Sequence, residues 1–477
     1  MKLNYYALHY HMKQSGTRTV IENILQSLKS NPEIKLNIIY SSKKETFYPK
    51  NKKIKVIDIP DVGYNDKIFK GKEELMKKAN KLKEKIKNKL ELSNKCVLHC
   101  HNVNLFKNSY LAAALLLLAK ELENEKFILL LQLHDFAEEN RPDRLRLLVN
   151  CSGKKDRLFG SKIAYPIYKN IFYMTINSRD KAMLKKIGIP ENHIFLYPNS
   201  VDTELFSSKP HKTNKLIKRL ENYARENKYI FEKNRKILLC SAKILRRKNI
   251  IESLVILKLL NSIRDQWQLL VTLEGNSKKD RAYGKLIKDY VRKKKLPVTI
   301  GFGYKLIAAR NTKNKNKMID LFSISEAIIT TSTQEGFGFT FLEAWVANKK
   351  VIGRRISYIF KELKTNGLNM NHFYDTILIN KKDFCEYTHH QQIRLLDKIN
   401  YKGLLKQKQL KRMINFLKEK NSVIISSNRK VILKNFSIAS YTTRLKKIIK
   451  KAEKLKKKTW KNVYIDNKFI IDYFKND

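Results

Sequence analysis

Apolar segments alternate with amphipathic segments along the chain, and this alternation predicts the fold class. Near the N-terminus, "KLNYYALHY" has the length and composition of a buried strand, "TRTVIENILQSLK" has apolar residues at helical spacing, and "IKLNIIYSS" is again strand-like. Strands that alternate with helices form parallel sheets, because a crossover must carry the chain back to the start of the next strand. The N-terminal part is therefore predicted to be a doubly wound α/β lobe.

The same alternation continues to about residue 200. The strand-like segments "CVLHCHN", "KFILLLQLHDF" and "FYMTINS" follow one another, with helical segments at 110–122 and 179–187. A further lysine-rich segment at 73–92 carries one apolar face at helical spacing. Ordinary packing explains that face better than docking to a membrane does, although docking stays open.

The alternation stops at 203–235, where the chain is polar and basic, and then restarts. The strand-like segments of the second half are "KILLCSAKIL", "WQLLVTLEG", "LPVTIGFG", "AIITTST" and "KVIGRR". The pattern predicts a first lobe over 1–202, a basic linker or insertion over 203–235 and a second doubly wound lobe over 236–430. The region 380–430 looks helical, but the pattern does not place it in the fold.

Composition adds a strong positive charge to this picture. The chain has 477 residues, with 99 lysines and arginines against 44 aspartates and glutamates and a formal net charge of +55. Phosphates, anionic membranes and nucleic acids are the partners that such a charge favours. The lysines are spread through almost every segment, so compositional drift of the lineage is the favoured main cause of the charge. The charge alone therefore names no partner.

The cysteines and the apolar runs bear on the compartment. The five cysteines form an odd and scattered set, which argues against a disulfide framework: Cys96, Cys100, Cys151, Cys240 and Cys385. The N-terminus lacks the apolar core and the small-residue cleavage site of a signal peptide. The most apolar runs, at 110–119 and 127–133, are too short to span a bilayer. We expect a cytoplasmic protein.

Four potential metal ligands lie close together in "CVLHCHN". Cys96, His99, Cys100 and His101 fall within six positions. A strand turns neighbouring side chains to opposite faces, and no second cluster lies near in sequence to complete a tetrahedral set. We therefore expect a structural role, or a role in lining a cleft, and no metal site.

The segment "TTSTQEGFGFTFLEAW" is the strongest candidate for a site. Glu335 and Glu343 are separated by seven residues and follow an apolar strand-like run. Gly336 and Gly338 allow the backbone to bend tightly and to approach a ligand at the N-terminus of the next helix, an end that binds anions. From the spacing alone, an ordinary strand–helix turn with solvated glutamates is the simpler interpretation.

This segment resembles the Glu-x7-Glu motif of the retaining GT-B-fold glycosyltransferases, the large "group 1" family that includes bacterial mannosyl- and glucosyltransferases and sucrose-type synthases. The resemblance implies that Glu343 binds the ribose hydroxyls of a nucleotide-sugar donor. It implies that Glu335 lies beside the hydroxyls of the donor sugar. The residues of the intervening turn are implied to contact the sugar and the diphosphate: Gly336, Phe337, Gly338 and Phe339.

A second segment, "CSAKILRRKNI", is similar to the strand and Arg-x4-Lys segment of the same family. The two basic residues of that segment neutralise the donor diphosphate. Lys248 occupies the lysine position, whereas Lys243 replaces the arginine. A lysine keeps the charge but lacks the bidentate fork, so diphosphate binding is expected to differ in angle or strength.

Resemblances in the first lobe are weaker. "KQSGTRTVIENIL" is similar to the glycine-rich first loop that approaches phosphate and acceptor, but only Gly16 of the usual glycine pair is present. His134 and Asp135 directly follow a strand-like run, where the family often has a histidine that faces the donor sugar. A lone histidine at a strand end is more often structural. Arg141, Asp143 and Arg144 fall in the expected acceptor-side loop.

The resemblance implies a two-lobed α/β enzyme of the GT-B fold, in which two Rossmann-like doubly wound lobes face an inter-lobe cleft. The first lobe is implied to bind the acceptor, the second to bind the nucleotide sugar, and 431–477 to form a cationic helix that crosses back, followed by a tail. The implied reaction transfers a sugar to a glycan, lipid or small molecule with retention of configuration. His134, Glu335 and Lys248 are the implied catalytic residues, and neither a metal nor another cofactor is required.

Two alternatives stay open. A catalytically silent scaffold would explain the altered positions at Gly16, Lys243 and Asn348, although an asparagine tolerates the left-handed backbone that a helix end often needs. A basic nucleic-acid-binding protein would explain the charge, but no recognisable module is present and the aromatic residues do not interleave with one basic stripe, so no nucleic acid is expected. Lysine-rich helices leave peripheral contact with the inner, anionic face of a membrane as a further expectation.

Overall fold

The computed structural model describes residues 2–13, 15–43, 53–139, 141–210, 213–263, 266–275, 277–307, 317–420 and 422–456. The chain divides into two compact units. The first unit comprises Met1–Ser200 together with Ile438–Asp477, and the second unit comprises Val201–Ser437. The predicted tail beyond residue 456 lies outside the described residues.

Within the described residues, seven parallel strands form the sheet of the first unit in the order β3-β2-β1-β4-β5-β6-β7. The strands are β1 Leu3–Leu8, β2 Ile34–Tyr40, β3 Ile54–Asp58, β4 Lys95–His101, β5 Phe127–Leu133, β6 Ile171–Thr175 and β7 Ile194–Leu196. The helices that join them are α1 Gly16–Leu28, α2 Lys72–Lys87, α3 Ser109–Glu121, α4 Pro142–Asn150, α5 Arg157–Ala164 and α6 Ser178–Lys186.

The burial of these elements explains their sequences. Every residue of β5 is buried, as expected for a central strand of a parallel sheet that is covered on both faces. The apolar face of α2 is buried through Leu75, Ala79, Leu82 and Ile86, whereas its lysines cover the outer side. Packing inside the unit therefore accounts for the apolar face of this lysine-rich helix.

The second unit begins with two helices in the region predicted to be a linker. They are α7 Thr203–Ser207 and α8 Thr213–Glu226. Leu216, Leu220, Tyr223 and Ala224 form a buried stripe on α8, and α8 packs against a later helix of the same unit. The region 203–235, predicted to be a linker or insertion, thus contains helices that pack within the second unit, because apolar residues at helical spacing form a buried face even where the composition is basic.

In the part of the chain that is described, five parallel strands form the sheet of the second unit in the order β10-β9-β8-β11-β12. The strands are β8 Lys236–Lys243, β9 Trp267–Leu273, β10 Val298–Ile300, β11 Ala327–Thr330 and β12 Lys350–Gly353. The intervening helices are α9 Ile250–Ser262, α10 Lys278–Lys293, α11 Gly303–Leu306, α12 Met318–Ile324, α13 Phe339–Val346 and α14 Ser357–Thr365. The prediction of two doubly wound α/β lobes is confirmed.

The region 380–430 is mostly helical and completes the second unit. A short hairpin precedes its helices, formed by β13 Leu378–Ile379 and β14 Lys382–Asp383. The helices are α15 His389–Leu395, α16 Tyr401–Leu404, α17 Lys408–Lys418 and α18 Val423–Asn435. In the described residues, α15 and α16 pack against α9, and α17 packs beside β12.

The C-terminal helix α19, Ile438–Lys456, returns to the first unit and packs against α1. Its buried face includes Tyr441, whose ring stacks on Tyr197 with a centroid separation of 4.1 Å. None of the helices in the described ranges combines the length and the apolar character needed to cross a membrane.

The strand orders fix where a ligand is expected in each unit. In the first sheet, β2 and β3 are added on one side of β1, whereas β5, β6 and β7 are added on the opposite side, beyond β4. The direction of strand addition therefore reverses between the neighbouring strands β1 and β4. The second sheet reverses in the same way between β8 and β11. Ligands of doubly wound proteins bind outside the carboxyl ends of the strands at such a switch point.

Candidate active site

Two loops meet at the switch point of the second unit. The β8 loop, residues 244–249, follows β8, and the β11 loop, residues 331–338, follows β11. The backbone N–H of Thr333 donates to the carbonyl of Arg247 at 2.9 Å, and the hydroxyl of Thr331 lies 3.1 Å from the carbonyl of Lys248. These hydrogen bonds hold the two loops together, so side chains that are 87 residues apart in sequence become neighbours.

The carboxylate of Glu335 is the centre of this arrangement. It forms an ion pair with Lys248, accepts a hydrogen bond from Ser332 Oγ at 2.7 Å and lies 3.8 Å from the guanidinium of Arg247. The side chains of Glu335 and Lys248 are 14% and 15% exposed. Burial raises the pKa of Glu335, but the positive charges of Lys248 and Arg247 together outweigh this effect, so that the pKa lies below its ordinary value. The carboxylate is therefore ionised at neutral pH.

A tyrosine that sequence reasoning missed fixes the backbone of Glu335. The N–H of Glu335 donates to the hydroxyl of Tyr358 at 3.0 Å, and the same hydroxyl lies 2.5 Å from the carbonyl of Glu335 and donates to it. Tyr358 lies in the first turn of α14. No local signal marks such a residue, because its partner is a backbone group 23 positions away.

The glycine-containing turn leads directly into α13. Gly338 precedes the helix with φ 86°, a left-handed conformation that favours glycine. A Cβ atom at this position would lie 2.8 Å from a ring carbon of Phe341. Phe337 is buried, and its ring contacts that of Phe339 at a centroid separation of 5.2 Å. The turn is thus rigid, and it leaves the first N–H groups of α13 at the switch point.

Glu343 lies in the second turn of α13 and is partly buried. It follows Gly338 by five residues, which corresponds to about 7 Å along the helix axis. Lys243 ends β8, next to the irregular pairing between Cys240 and Lys243. Lys243 is partly buried, and among the described residues no hydrogen bond or ion pair holds its ammonium.

A buried ionic network contacts the end of the β8 loop through Asn249. The guanidinium of Arg354 donates to Glu252 at 2.7 and 2.8 Å and to Asp383 at 2.7 and 2.8 Å. Glu252 also accepts hydrogen bonds from Tyr374 at 2.8 Å and from Asn249, the last residue of the β8 loop, at 2.8 Å. Burial raises the pKa of Glu252, and Arg354 opposes that rise. The network fixes the start of α9 and hence the position of Lys248.

A stack of histidines lies at the switch point of the first unit. The Nδ1 atom of His101 lies 3.3 Å from Nε2 of His134, and the rings of His99 and His101 are stacked at 4.4 Å. The backbone N–H of His134 donates to the side-chain oxygen of Asn102 at 2.8 Å. Burial lowers the pKa of His134 to about 4 and that of His99 to about 3, so these rings are neutral at physiological pH. In the described ranges, no group of three or more potential metal ligands is found.

Asp135 and Arg141 lie beside this stack. They form an ion pair at 3.1 Å, and Arg141 also donates to the carbonyl of Phe136 at 2.9 Å. Gly16 is the first residue of α1, directly after Ser15, whose hydroxyl accepts from the N–H of Arg18 at 3.2 Å. A Cβ atom at Gly16 would meet no atom of the described chain within 4 Å. The described residues therefore leave open space beside the Cα atom of Gly16.

Within each unit, the structure brings several of the predicted site residues close together. In the second unit it brings Lys248 and Glu335 into contact and sets Gly338 at the start of α13. In the first unit it gathers His134 with Asp135 and Arg141. Sequence reasoning missed Ser332, Tyr358 and the Arg354 network in the second unit, and Tyr64 and Lys107 in the first.

Two doubly wound units that each gather polar side chains at a switch point are typical of GT-B glycosyltransferases. The comparison with solved structures agrees. A glycosyltransferase from Rickettsia africae matches with a TM-score of 0.56 and 16% identity, covering 96% of this chain and 100% of that one. Anabaena HepE in complex with UDP and glucose matches with a TM-score of 0.54 and 11% identity, covering 94% of this chain and 99% of that one. These likenesses show the fold.

The comparison of sequences adds a relative of higher identity. A mannosylglucosyl-3-phosphoglycerate synthase from Petrotoga mobilis is 32% identical over 389 residues, which cover 79% of this chain and 69% of that protein. No protein-family model matches the chain. The chain belongs to the glycosyltransferases of the GT-B fold, and the prediction of such an enzyme from the sequence is confirmed.

Proposed function

We propose that this glycosyltransferase transfers a mannosyl group, with retention of configuration, from a nucleoside diphosphate mannose to glucosyl-3-phosphoglycerate. One observation carries the donor half of the proposal: a partly buried lysine and carboxylate, Lys248 and Glu335, lie beside the N-terminus of α13 at a sheet switch point. The identity with the synthase from Petrotoga mobilis supports the sugar and the acceptor.

The donor would lie along the β8 and β11 loops. Glu343 would bind the ribose hydroxyls, and Glu335 would accept hydrogen bonds from hydroxyls of the sugar. The turn from Gly336 to Phe339 would contact the sugar and the diphosphate through its backbone. The N-terminus of α13 suits this role because its N–H groups and its dipole favour an anion.

The leaving diphosphate would be stabilised by Lys243, Lys248 and α13. As the bond from the anomeric carbon to the phosphate oxygen breaks, its electron pair passes to that oxygen, and the negative charge grows there. Groups that are already in position stabilise such a charge without further reorganisation. The acceptor hydroxyl would attack on the face that the diphosphate leaves and pass its proton to the departing phosphate oxygen. No carboxylate of the enzyme need act as a nucleophile.

His134 in the first unit would act as a neutral hydrogen-bonding group. Its low pKa keeps the imidazole uncharged, so that it can interact with a sugar hydroxyl without adding a positive charge. Asp135 and Arg141, which are paired with each other, would belong to the loop on the acceptor side. The open space at Gly16 is compatible with close approach of a phosphate or of the acceptor.

The test is a panel of donors and acceptors with the full-length protein. GDP- and UDP-linked mannose, glucose and galactose would be titrated by calorimetry and then incubated with glucosyl-3-phosphoglycerate. We expect one mannose donor to bind and to give a product that is heavier by one hexose. The anomeric configuration of the product, measured by NMR, should equal that of the donor.

Two outcomes would contradict the proposal. Binding of a donor without transfer to any acceptor would favour a catalytically silent scaffold. An inverted anomeric centre would remove the front-face mechanism but would leave the family assignment intact. The Glu343→Ala variant tests the donor site directly, because the loss of one charge-assisted hydrogen bond to the ribose should weaken donor binding by roughly 1.5 to 3 kcal/mol.

A further inference from the structure

A cluster of basic side chains lies next to the histidine stack of the first unit. Lys107 follows the turn after β4, and Arg141 and Arg144 lie at the start of α4. Phe106, which precedes Lys107, has φ 54°, a conformation that a bulky residue rarely adopts. Such backbone strain persists where the surrounding structure requires it, and it is common at functional sites.

The two arginines of the cluster are neutralised by the protein itself. Arg144 donates to both carboxylate oxygens of Asp66, at 2.6 and 3.1 Å. Arg141 pairs with Asp135 at 3.1 Å. Each guanidinium therefore already has a carboxylate partner, and the cluster keeps a positive charge only through its third member.

Lys107 is that third member, and its hydrogen-bond partner is the phenol of Tyr64 instead of a carboxylate. Its ammonium donates to the hydroxyl of Tyr64 at 2.8 Å, and that hydroxyl lies 2.8 Å from Nε2 of His11. Within the described residues, Lys107 forms no ion pair. Burial, together with the nearby charges of Arg141 and Arg144, lowers the pKa of Lys107 to about 8, although Asp135 and Asp66 oppose the shift. A partly buried cation without a counter-ion is costly, and an anion from outside would relieve that cost.

We propose that Lys107, with Tyr64 and Arg141 beside it, binds the anionic end of the acceptor. The occupant is a phosphate or a carboxylate attached to a glyceryl group. This inference rests on the proposed function for its substrate, but the site is defined by contacts within the first unit. The donor residues Lys248 and Glu335 take no part in it.

The position in the fold supports the assignment. His11 follows β1 and Lys107 follows β4, and these neighbouring strands flank the switch point of the first sheet. Tyr64 comes from the loop after β3, so three separate loops converge on one hydroxyl. Ligands of doubly wound units bind at this edge of the sheet.

A purely structural role for Lys107, in which it only anchors Tyr64, gives a different outcome in a binding experiment. The probes are 3-phosphoglycerate, which carries both anionic groups, glycerol 3-phosphate, which carries only the phosphate, and glycerate, which carries only the carboxylate. Binding to the full-length protein would be measured by calorimetry. Comparison of the last two probes identifies the group that the cluster holds.

The variants are Lys107→Met, Lys107→Arg and the control Lys185→Met, which removes an exposed lysine paired with Glu191 at the surface of the same unit. We expect Lys107→Met to weaken binding of 3-phosphoglycerate by at least about tenfold, the effect of one lost charge-assisted hydrogen bond. Lys107→Arg should restore part of the affinity, and nucleotide binding and thermal unfolding should stay as in the wild type.

The pH dependence gives an independent readout. The groups around Lys107 are Asp66, Asp135, Arg141, Arg144, Tyr64 and His9. Above about pH 7.5 a phosphate monoester is already a dianion, because its second pKa is about 6. Binding should weaken as the pH rises through about 8, where free Lys107 loses its proton. The Lys107→Arg variant should show no such loss.

Wild-type affinity in Lys107→Met, or no binding of any probe to the wild type, would overturn the site. An equal loss in Lys185→Met would also overturn it, because the effect would then be one of net charge. If 3-phosphoglycerate binds through Lys107 but no sugar is transferred to its glucoside, the proposed function fails and the site stands. If transfer proceeds in Lys107→Met with an unchanged KM for the acceptor, the site fails and the proposed function stands.

Discussion

Lys248 must serve two anions in turn if it acts on the donor. In the structure its ammonium pairs with Glu335, whose carboxylate is also held by Ser332 and lies near Arg247. These additional partners keep Glu335 in place when Lys248 turns towards a diphosphate. The ammonium of Lys248 can therefore pair with the leaving diphosphate while Ser332 and Arg247 still hold the buried carboxylate of Glu335.

The first prediction concerns this lysine. Lys248→Ala should lower turnover on the order of 10²- to 10³-fold, the typical effect of the loss of one preorganised donor. Binding of the bare nucleoside should change far less, because the charge of Lys248 matters most as the phosphate oxygens gain charge. Steady-state kinetics with the identified donor, together with calorimetry of the nucleoside, measure both quantities.

Lys288→Ala is the matched control for this variant, because Lys288 forms an ion pair with Glu274 at 3.1 Å near the surface of the same unit. Its turnover should equal that of the wild type. Full turnover in Lys248→Ala would mean that another group stabilises the leaving diphosphate.

Single residues differ in how well the sequence predicts them. Glu335 and Lys248 belong to a local motif, and Asn348 has the left-handed φ of 56° that its position after a helix suggested. The pair of Tyr64 and Lys107 belongs to no motif. These two residues are 43 positions apart and meet only because the loops after β3 and β4 converge, which depends on the strand order of the sheet.

At the scale of secondary-structure elements, the network around Arg354 connects α9, β12 and β14. Its members are almost completely buried, with side chains that are 6% exposed for Arg354, 0% for Glu252 and 9% for Asp383. Such a network contributes little net stability relative to apolar packing, but removing one partner leaves an uncompensated charge. Its structural effect is to fix the first turn of α9 through Asn249.

The second prediction follows from this burial. Arg354→Met should lower the free energy of unfolding of the second unit by about 3 to 5 kcal/mol, because Glu252 and Asp383 lose their shared counter-ion. The neighbouring Arg355→Met is the control, since Arg355 pairs with Asp375 at the surface and should contribute less than about 1 kcal/mol. Urea unfolding measures both values. Equal effects of the two variants would contradict the predicted role of burial.

The third prediction concerns the histidines at the ends of β4 and β5. Burial lowers the pKa of His99 to about 3, and its Nδ1 lies 2.5 Å from the hydroxyl of Tyr5. Below about pH 6.5 the unfolded chain binds a proton that the folded ring excludes. The stability from this group is thus complete above about pH 6.5 and is lost as the pH falls towards about 3.

His99→Gln should therefore reduce the slope of unfolding free energy against pH between about pH 4.5 and 6.5, by at most about 1.4 kcal/mol per pH unit. His390→Gln, which replaces an exposed histidine, is the control and should leave the slope unchanged. Urea unfolding at a series of pH values gives the slopes. An unchanged slope in His99→Gln would mean that His99 is not neutral in the folded state.

Elements with long apolar or amphipathic runs were predictable, and those with short or mixed runs were not. The buried strand β5 and the helix α9 follow directly from their patterns. The strands β3 and β7 were missed, because β3 is largely exposed along "IKVID" and β7 has only three residues at the sheet edge. The helix α8 was missed because its apolar stripe lies within a strongly basic composition.

At the scale of the whole molecule, the net charge of +55 is the feature that the proposed reaction does not explain. One donor diphosphate and one acceptor phosphate need only a few cations. On α2, for example, the lysines lie on the outer side of the helix, away from its buried apolar face. Compositional drift accounts for a spread of this kind, and so does selection for contact with an anionic surface.

The fourth prediction separates these two explanations. If the charge serves contact with a membrane, the full-length protein should sediment with vesicles that contain phosphatidylserine or phosphatidylglycerol but not with neutral phosphatidylcholine vesicles. Each lysine or arginine near such a surface contributes about 1 kcal/mol. The attraction should disappear at about 1 M salt, where the Debye length shrinks to about 3 Å. Equal sedimentation with anionic and neutral vesicles, or with neither, would leave compositional drift as the explanation, because a charge selected for membrane contact must distinguish the two surfaces.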